Sequence, residues 1–354
     1  VAAVAYPGST LRTKGHLRPI RPARDLSDIA DLTEIGFGDR LGRAGKDVVR
    51  EMRQMASLGP LLWPLSWALK LSMGAGFVWE EEGRVVGNVS LFDAGRFPGL
   101  GQGWLIANVV VHPTYRRRGI ARALMAAALE DIRRRGGSWC ALQVEKDNPG
   151  AQALYESLGF QNRGLLERWE ADFAAPELPH ELYHYLPRTR RPHEAAQEAA
   201  IVMKARPAMI IWSRALTPGE VRGDWLWSLG RAFGGAPIER LVIDDPDRPG
   251  EALLGSAWIE GQEYRGRQVS LFYDTPPRPE GLRHEEARLA LAYIAVRRAM
   301  AWRGGPVAVE HAGEDPAIEE FLRRAGFRLQ RELIQMWRSL DGNDAYPGQE
   351  AYAP

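Results

Sequence analysis

The sequence predicts an α/β protein with two mixed, twisted sheets flanked by helices, one sheet in each half of the chain. Three observations predict it. Short β-branched or aromatic runs alternate with amphipathic helical stretches throughout. Their connections mix a tight hairpin with a strand–helix–strand crossover. The 354 residues are enough for two cores.

In the first half, Leu17–Arg21 reads as a strand, and Asp25 or Ser27 starts a helix with Ile29, Leu32 and Ile35 at helical spacing. A second helical region covers Gly45–Leu58. Strands Gly76–Glu81 and Arg84–Phe92 are joined by Glu82-Gly83, which is a hairpin signal. Trp104–Val111 is a further strand closed by His112-Pro113. A helix over Ile120–Arg135 carries Leu124, Ala128 and Ile132 on one face and stops at Gly136-Gly137. Strand Trp139–Glu145, helix Pro149–Leu158 and strand Phe160–Phe173 follow.

The polar stretch from Leu186 to Ala200 reads as a linker. After it come Met209–Trp212 and Trp225–Phe233, then strands Arg240–Asp244, Leu253–Glu260 and Gln268–Tyr273. A long helix Glu285–Arg303 ends at Gly304-Gly305. Strand Val307–Glu310, helix Ala317–Arg324 and strand Phe327–Arg338 close the pattern.

Composition narrows the function classes. The chain is 45% hydrophobic and 26% charged, with a formal net charge of +1. Nucleic-acid binders carry a marked basic excess, so nucleic acid is not expected as a partner. The 7 His and single Cys140 show no zinc-type spacing, and no metal is expected. One cysteine permits no internal disulfide, which fits a reducing, cytoplasmic setting. Cys140 lies in Trp139–Val144, a buried-strand pattern, and is expected in the core. Val1–Pro7 lacks the charged start and apolar run of a signal peptide. Leu61–Met73 is the most apolar stretch, yet it is too short for a membrane span and contains Pro64 and Lys70. It reads as a buried helix or a pocket wall, with a surface membrane contact as the alternative.

The most informative segment runs from Val109 to Arg122. A β-branched strand enters a turn and then directly a helix. The first amides of a helix lack internal partners and their dipoles attract an anion. Gly119 permits close approach, Ala121 is small, and Arg116, Arg117, Arg118 and Arg122 add positive charge. On physical grounds this is a diphosphate cradle. The bland alternative is a basic helix start with a solvated face.

Here the sequence resembles a known family. Arg116-x-x-Gly119-x-Ala121 matches the acetyl-CoA signature of the GCN5-related N-acetyltransferases (GNAT). Asn148-x-x-Ala151-x-x-Leu154-Tyr155-x-x-x-Gly159-Phe160 matches a second family element at the expected distance. The resemblance covers about Leu17 to Phe173, and Asn108–Phe160 looks most like acetyltransferases that modify protein N-termini. It implies acetyl-CoA as cosubstrate and an N-terminal catalytic domain over 1–186. Main-chain groups of Val109 and Val111 would then bind the pantetheine arm, which lies along a splayed strand. The amides of Arg117, Arg118, Gly119, Ile120, Ala121 and Arg122 would hold the diphosphate. Asn148 would contact the cofactor arm, and an amide near Val109 would polarise the acetyl carbonyl. The amine would attack the thioester directly in a ternary complex.

Tyr155 is the implied general acid, since a phenol can protonate the departing thiolate. The base departs from the family pattern. Many relatives carry Glu on the strand before the turn, where this chain has Ile106-Ala107-Asn108-Val109. A second family position for Glu holds Gln143. Glu145, two residues on and facing the same side, is the candidate base. A water relay or an amine arriving deprotonated needs no such residue.

The second half repeats the pattern at lower fidelity. Phe321-Leu322-Arg323-Arg324-Ala325-Gly326-Phe327 echoes Leu154–Phe160, with Leu322 at the place of Tyr155. Arg278–Arg283 stands where a phosphate turn belongs, but Pro279 removes an amide and Glu280 repels phosphate. The resemblance therefore implies two tandem acetyltransferase-like (GNAT) domains. A linker at 187–200 leads to a degenerate domain at 201–340, and a tail covers 341–354. The Trp-rich segments Trp63–Trp67 and Trp225–Trp227 read as packing. The expected function is transfer of acetyl to a primary amine, on a small molecule or a peptide N-terminus. The rival is a non-catalytic acyl-CoA-binding module, and a longer acyl donor is a third possibility.

Overall fold

The computed structural model describes residues 15–57, 75–172, 180–206, 208–211, 214–222, 238–262, 266–273, 282–302 and 304–342. The segments Leu61–Met73, Trp225–Phe233 and Arg278–Gly281 lie outside these residues. So do Trp212, most of the tail and the start of the chain. The fold is α/β, as the alternation predicts, with mixed sheet strands flanked by helices. The chain forms two compact units. One comprises Val1–Asp93 and Trp104–Cys140, the other Ala94–Gly103 and Ala141–Pro354.

The first unit contains β1 (His16–Pro19), α1 (Pro22–Phe37), α2 (Gly42–Ser57), β2 (Gly76–Glu81), β3 (Arg84–Phe97) and β4 (Gly101–Val111), followed by α3 (Ile120–Arg134). The hairpin tip Ala94–Gly103 groups with the second unit. The strand order is β1-β2-β3-β4. Strand β2 pairs antiparallel with both β1 and β3. Its hairpin turn places Glu82 and Gly83 both at positive φ, the turn twist that suits paired strands.

Helix α1 starts at Pro22, earlier than the sequence pattern suggests. Proline at N1 costs no hydrogen bond, and the Asp25 carboxylate accepts from the Arg21 amide at 2.6 Å. Asp25 also receives both terminal nitrogens of Arg18, whose Nε donates to Glu80. These contacts bind α1 to β1 and β2. Helix α3 buries Leu124, Met125, Ala128 and Ile132. It approaches β3 so closely that a Cβ at Gly87 would meet Ile120 and Leu124 at about 3 Å.

The second unit holds most of β5 (Trp139–Glu145), then α4 (Pro149–Ser157), β6 (Gln161–Ala171), β7 (Arg188–Thr189), α5 (Ala195–Ala205), β8 (Ile210–Ile211), β9 (Arg214–Ala215) and α6 (Pro218–Arg222). It continues with β10 (Ile238–Asp244), β11 (Leu253–Gln262), β12 (Gly266–Tyr273), α7 (Leu282–Ala301), β13 (Val307–Ala312), α8 (Pro316–Arg324) and β14 (Arg328–Ser339). The strand order is β5-β14-β6-β13-β12-β11-β10-β7, with β8 and β9 forming a separate pair. Strands β12 and β13 are parallel, as a crossover through α7 requires. Leu291 and Val296 of α7 belong to one core with Val269, Leu271, Val307 and Val309 of these strands.

Residues 187–200, read as a linker, are instead woven into this unit. Strand β7 pairs with β10, and the buried Glu198 of α5 accepts from Arg240, Ser256 and Trp258. Buried carboxylates persist only when paired in this way. Cys140 is buried in β5, as the strand pattern suggests. No described helix is long and apolar enough to cross a membrane.

Candidate active site

In the first unit, Val109, Val110 and Val111 form the end of β4. Just before them Asn108 adopts φ 51, a left-handed residue inside a strand. Asparagine tolerates that conformation better than most residues. The Asn108 carbonyl accepts from Asn88 Nδ2 at 2.9 Å, and the same nitrogen lies 3.1 Å from Ser90 Oγ. Asn88 is fully buried, and its Oδ1 has no partner among the described residues. Neither Asn88 nor Ser90 stood out as functional in the sequence. Their signal is two polar residues on one face of the apolar run 85–92.

Beside Asn108 is a small cavity lined by Leu26, Ile29, Met52, Phe92, Ser90 and Asn108, among others. Among the described residues that line it, none is charged.

The turn after β4 is shaped for an anion. Pro113–Tyr115 forms one 3-10 turn. Arg117 and Gly119 then take φ 64 and φ 83, and α3 begins. Left-handed residues in such a turn aim successive amides into a concavity. Gly119 is the N-cap and contributes no capping side chain, and the first-turn amides of α3 stand at its positive end. Arg117 and Arg122 are exposed beside them. This donor set fits a diphosphate.

The side chains of Arg116 and Arg118 lie against the protein. Arg116 Nε donates to the Val111 carbonyl at 3.1 Å, and its NH2 reaches the Gly36 carbonyl at 3.4 Å. That guanidinium ties the turn to the end of α1. Arg118 donates to Thr114 O, stands 3.7 Å from Glu81, and stacks 4.9 Å over Tyr115. The Val111 carbonyl is thereby already an acceptor, although a carbonyl has two lone pairs.

In the second unit, Asn148 caps α4. Its Oδ1 accepts from the Ala151 amide at 3.2 Å, which leaves its NH2 for a ligand. Pro149 occupies N1. Tyr155 is buried, with its ring edge-on to Phe160 at 6.0 Å. Burial pushes the phenol pKa well above its usual value. It is therefore a protonated donor throughout the physiological range. The turn below it is closed by Leu158 N and Phe160 N, which both donate to Tyr155 O.

Glu145 is ion-paired: its Oε1 receives Arg331 Nε at 2.7 Å and NH2 at 2.5 Å, so one of its two oxygens is engaged by a guanidinium. Gln143, on the same face of β5, has its Nε2 buried without a partner among the described residues. Arg331 was not legible as a neighbour of Glu145, because 186 residues separate them.

Elsewhere in this unit, Asp245, Asp247 and His284 bring possible ligand atoms within 4.8 Å of one another. Arg248 pairs with Asp245 and Arg283 with Asp247, so both carboxylates already have cationic partners.

Comparison with known proteins bears on these residues. Residues 49–160 match the model of the acetyltransferase (GNAT) family. Over 109 residues the chain is 31% identical to an uncharacterized N-acetyltransferase of Methanocaldococcus jannaschii, covering 30% of this chain and 48% of that protein. Over 61 residues it is 43% identical to the ribosomal protein bS18-alanine N-acetyltransferase of Escherichia coli, covering 17% of this chain and 40% of the relative. The chain thus spans less than half the length of these relatives. A crystal structure of a GCN5-related N-acetyltransferase from Sphaerobacter thermophilus shares the fold. Its TM-score is 0.54 at 17% identity, over 93% of this chain and 97% of that one.

Proposed function

We propose that this chain, whose residues 49–160 match the model of the acetyltransferase (GNAT) family, moves acetyl from acetyl-CoA to a primary amine, with the diphosphate held at the start of α3. One observation carries the assignment. The uncapped N-terminus of α3, with Gly119 at φ 83 and exposed Arg117 and Arg122, suits a diphosphate. Acetyl-CoA supplies an activated thioester acetyl group. The Ile120, Ala121 and Arg122 amides hold its diphosphate, Val109 and Val111 main-chain groups hold its arm, and the Asn148 NH2 adds a donor. The amide near Val109 polarises the acetyl carbonyl. Tyr155 gives its proton to the departing thiolate sulfur.

The proton lost by the amine needs another route, because Glu145 is occupied by Arg331. The acceptor accordingly arrives neutral or gives its proton to water. The cavity by Asn108 supports an amine of that kind. Its described lining is mainly apolar and carries no carboxylate to stabilise an ammonium group. A peptide α-amine, with a pKa of about 8, sheds its proton far more readily than a lysine at about 10.4. We therefore assign the acceptor as a peptide α-amine, and the bS18-alanine N-acetyltransferase relative is named for an acceptor of that class.

The second reading is a non-catalytic acyl-CoA-binding module, favoured by Gln143 and by the ion pair on Glu145. Calorimetry with acetyl-CoA, then thiol release with peptides beginning in Ala and with N-blocked lysine peptides, separates the two. The transferase predicts binding and release with the Ala peptides. Binding without release on any amine supports the module. Absence of binding removes both.

A further inference from the structure

Strand β14 is the last described strand, yet it sits between β5 and β6. Those are the strands joined by α4, so the β5–α4–β6 crossover straddles β14. The pairing with β6 is antiparallel, from Arg328 opposite Glu170 to Trp337 opposite Gln161.

The same strand grips α4 at both ends. Before the helix, Arg331 holds the Glu145 carboxylate. Lys146 N donates to Glu332 O at 2.9 Å, and Lys146 Nζ lies 2.7 Å from Glu332 Oε1. After the helix, Arg338 donates to the Leu158 carbonyl. Its guanidinium covers the adjoining turn, where a Cβ on Gly159 would stand 3.5 Å from Arg338 Nε. Carbonyls at a helix C-terminus lack internal donors and carry the negative end of the dipole, so a cation there both caps and stabilises. Helix α4 has only 9 residues. A helix so short is not stable by itself, and tertiary contacts set its position. Tyr155 lies three residues before the carbonyl that Arg338 takes.

We propose that Arg338, assisted by Arg331, is a positioning residue for the transfer step. Strand β14 fixes α4 so that the Tyr155 hydroxyl is aimed at the leaving sulfur. The C-terminal half then has a task without binding a cosubstrate of its own. This inference rests on the assignment of Tyr155 as the acid.

The test is a double-mutant cycle in the full chain with Tyr155→Phe, Arg338→Ala and the two combined. Arg328→Ala, an exposed arginine on the same strand, is the control. Arg338→Ala is expected to lower kcat at least about tenfold, within the range a general acid supplies. The Kd for acetyl-CoA should stay within about twofold, since the diphosphate amides lie on α3. Arg328→Ala should leave kcat unchanged. In the Tyr155→Phe background, Arg338→Ala should have little further effect, because there is no acid left to misplace. Equal losses in both backgrounds, or an unchanged kcat in Arg338→Ala alone, would overturn the positioning role. An unchanged kcat in Tyr155→Phe alone would instead overturn the acid, and the inference with it. If the Ala variant does not fold, Arg338→Lys completes the same cycle. It keeps the charge but loses the planar fork.

Discussion

At the scale of single residues, burial decides what Tyr155 can do. Its ring is almost wholly enclosed, and desolvation disfavours the phenolate. A phenol used as an acid must be protonated at the moment of transfer, so this shift favours the reaction. The acceptor amine, by contrast, must be neutral. The kcat/KM profile is therefore expected to rise with pH through the ionisation of the acceptor and then to stay level, without a falling limb near pH 10 from Tyr155. A pH series with an Ala-initiated peptide measures this. A decline near the ordinary tyrosine pKa, absent in Tyr155→Phe, would mean that the phenol ionises in use. Tyr155→Phe itself is expected to lower kcat about 100-fold and to change acetyl-CoA binding little.

At the scale of elements, the attachment of α1 shows how a few charges fix a helix. Arg18 lies between Asp25 and Glu80, and Asp25 is completely buried. Burial alone pushes the Asp25 pKa up, but hydrogen bonds from Arg18 and the Arg21 amide outweigh it and hold the carboxyl below its usual range. Removing one partner of a buried pair strands the other charge, so Asp25→Ala should cost about 3 kcal/mol in denaturant unfolding. A carboxyl with a lowered folded pKa gives stability above its unfolded pKa. That stability is lost as pH falls through the folded value. The Tm should therefore drop below about pH 4, less steeply in Asp25→Asn. An equal slope in both would place the acid sensitivity elsewhere.

The same elements show what the sequence could reveal. The hairpin at Glu82-Gly83 and the helix after Gly119 were legible because their signals are local: turn residues, a helical stripe and a glycine stop. The start of α1 was misplaced because Asp25 caps it from inside the first turn. The place of β14 was not legible at all. Strand patterns record which face is buried and not which neighbour is paired. Inserting β14 between β5 and β6 leaves its alternation unchanged. The ion pairs of Arg331 and Arg338 follow from that topology, and so they were hidden too.

At the scale of the whole molecule, the question is how many cosubstrates one chain binds. In the second half, the parallel pairing of β12 and β13 runs from Arg267 opposite Val307 to Ser270 opposite Glu310. Beyond it stands a fully buried arginine. Arg206 donates to Leu271 O at 3.0 Å and to Glu310 O at 3.4 Å, and its guanidinium lies 5.0 Å from the Phe272 ring centre. Its charge is so enclosed that burial lowers its pKa to about 10. A strand opening of this kind would be the counterpart of the one proposed to take the pantetheine arm in the first half, and here a side chain already uses its carbonyls. One acetyl-CoA per chain is the expected stoichiometry. Gly119→Glu puts a side chain and a negative charge at the uncapped end of α3, where φ 83 already disfavours any side chain. Calorimetry on that variant should show binding abolished, with circular dichroism of the folded chain unchanged. If one equivalent still binds, the occupied site belongs to the second half, and Arg206 does not block it. If binding disappears together with the fold, Gly119→Ala offers the milder form, with weakened affinity and the stoichiometry still at one.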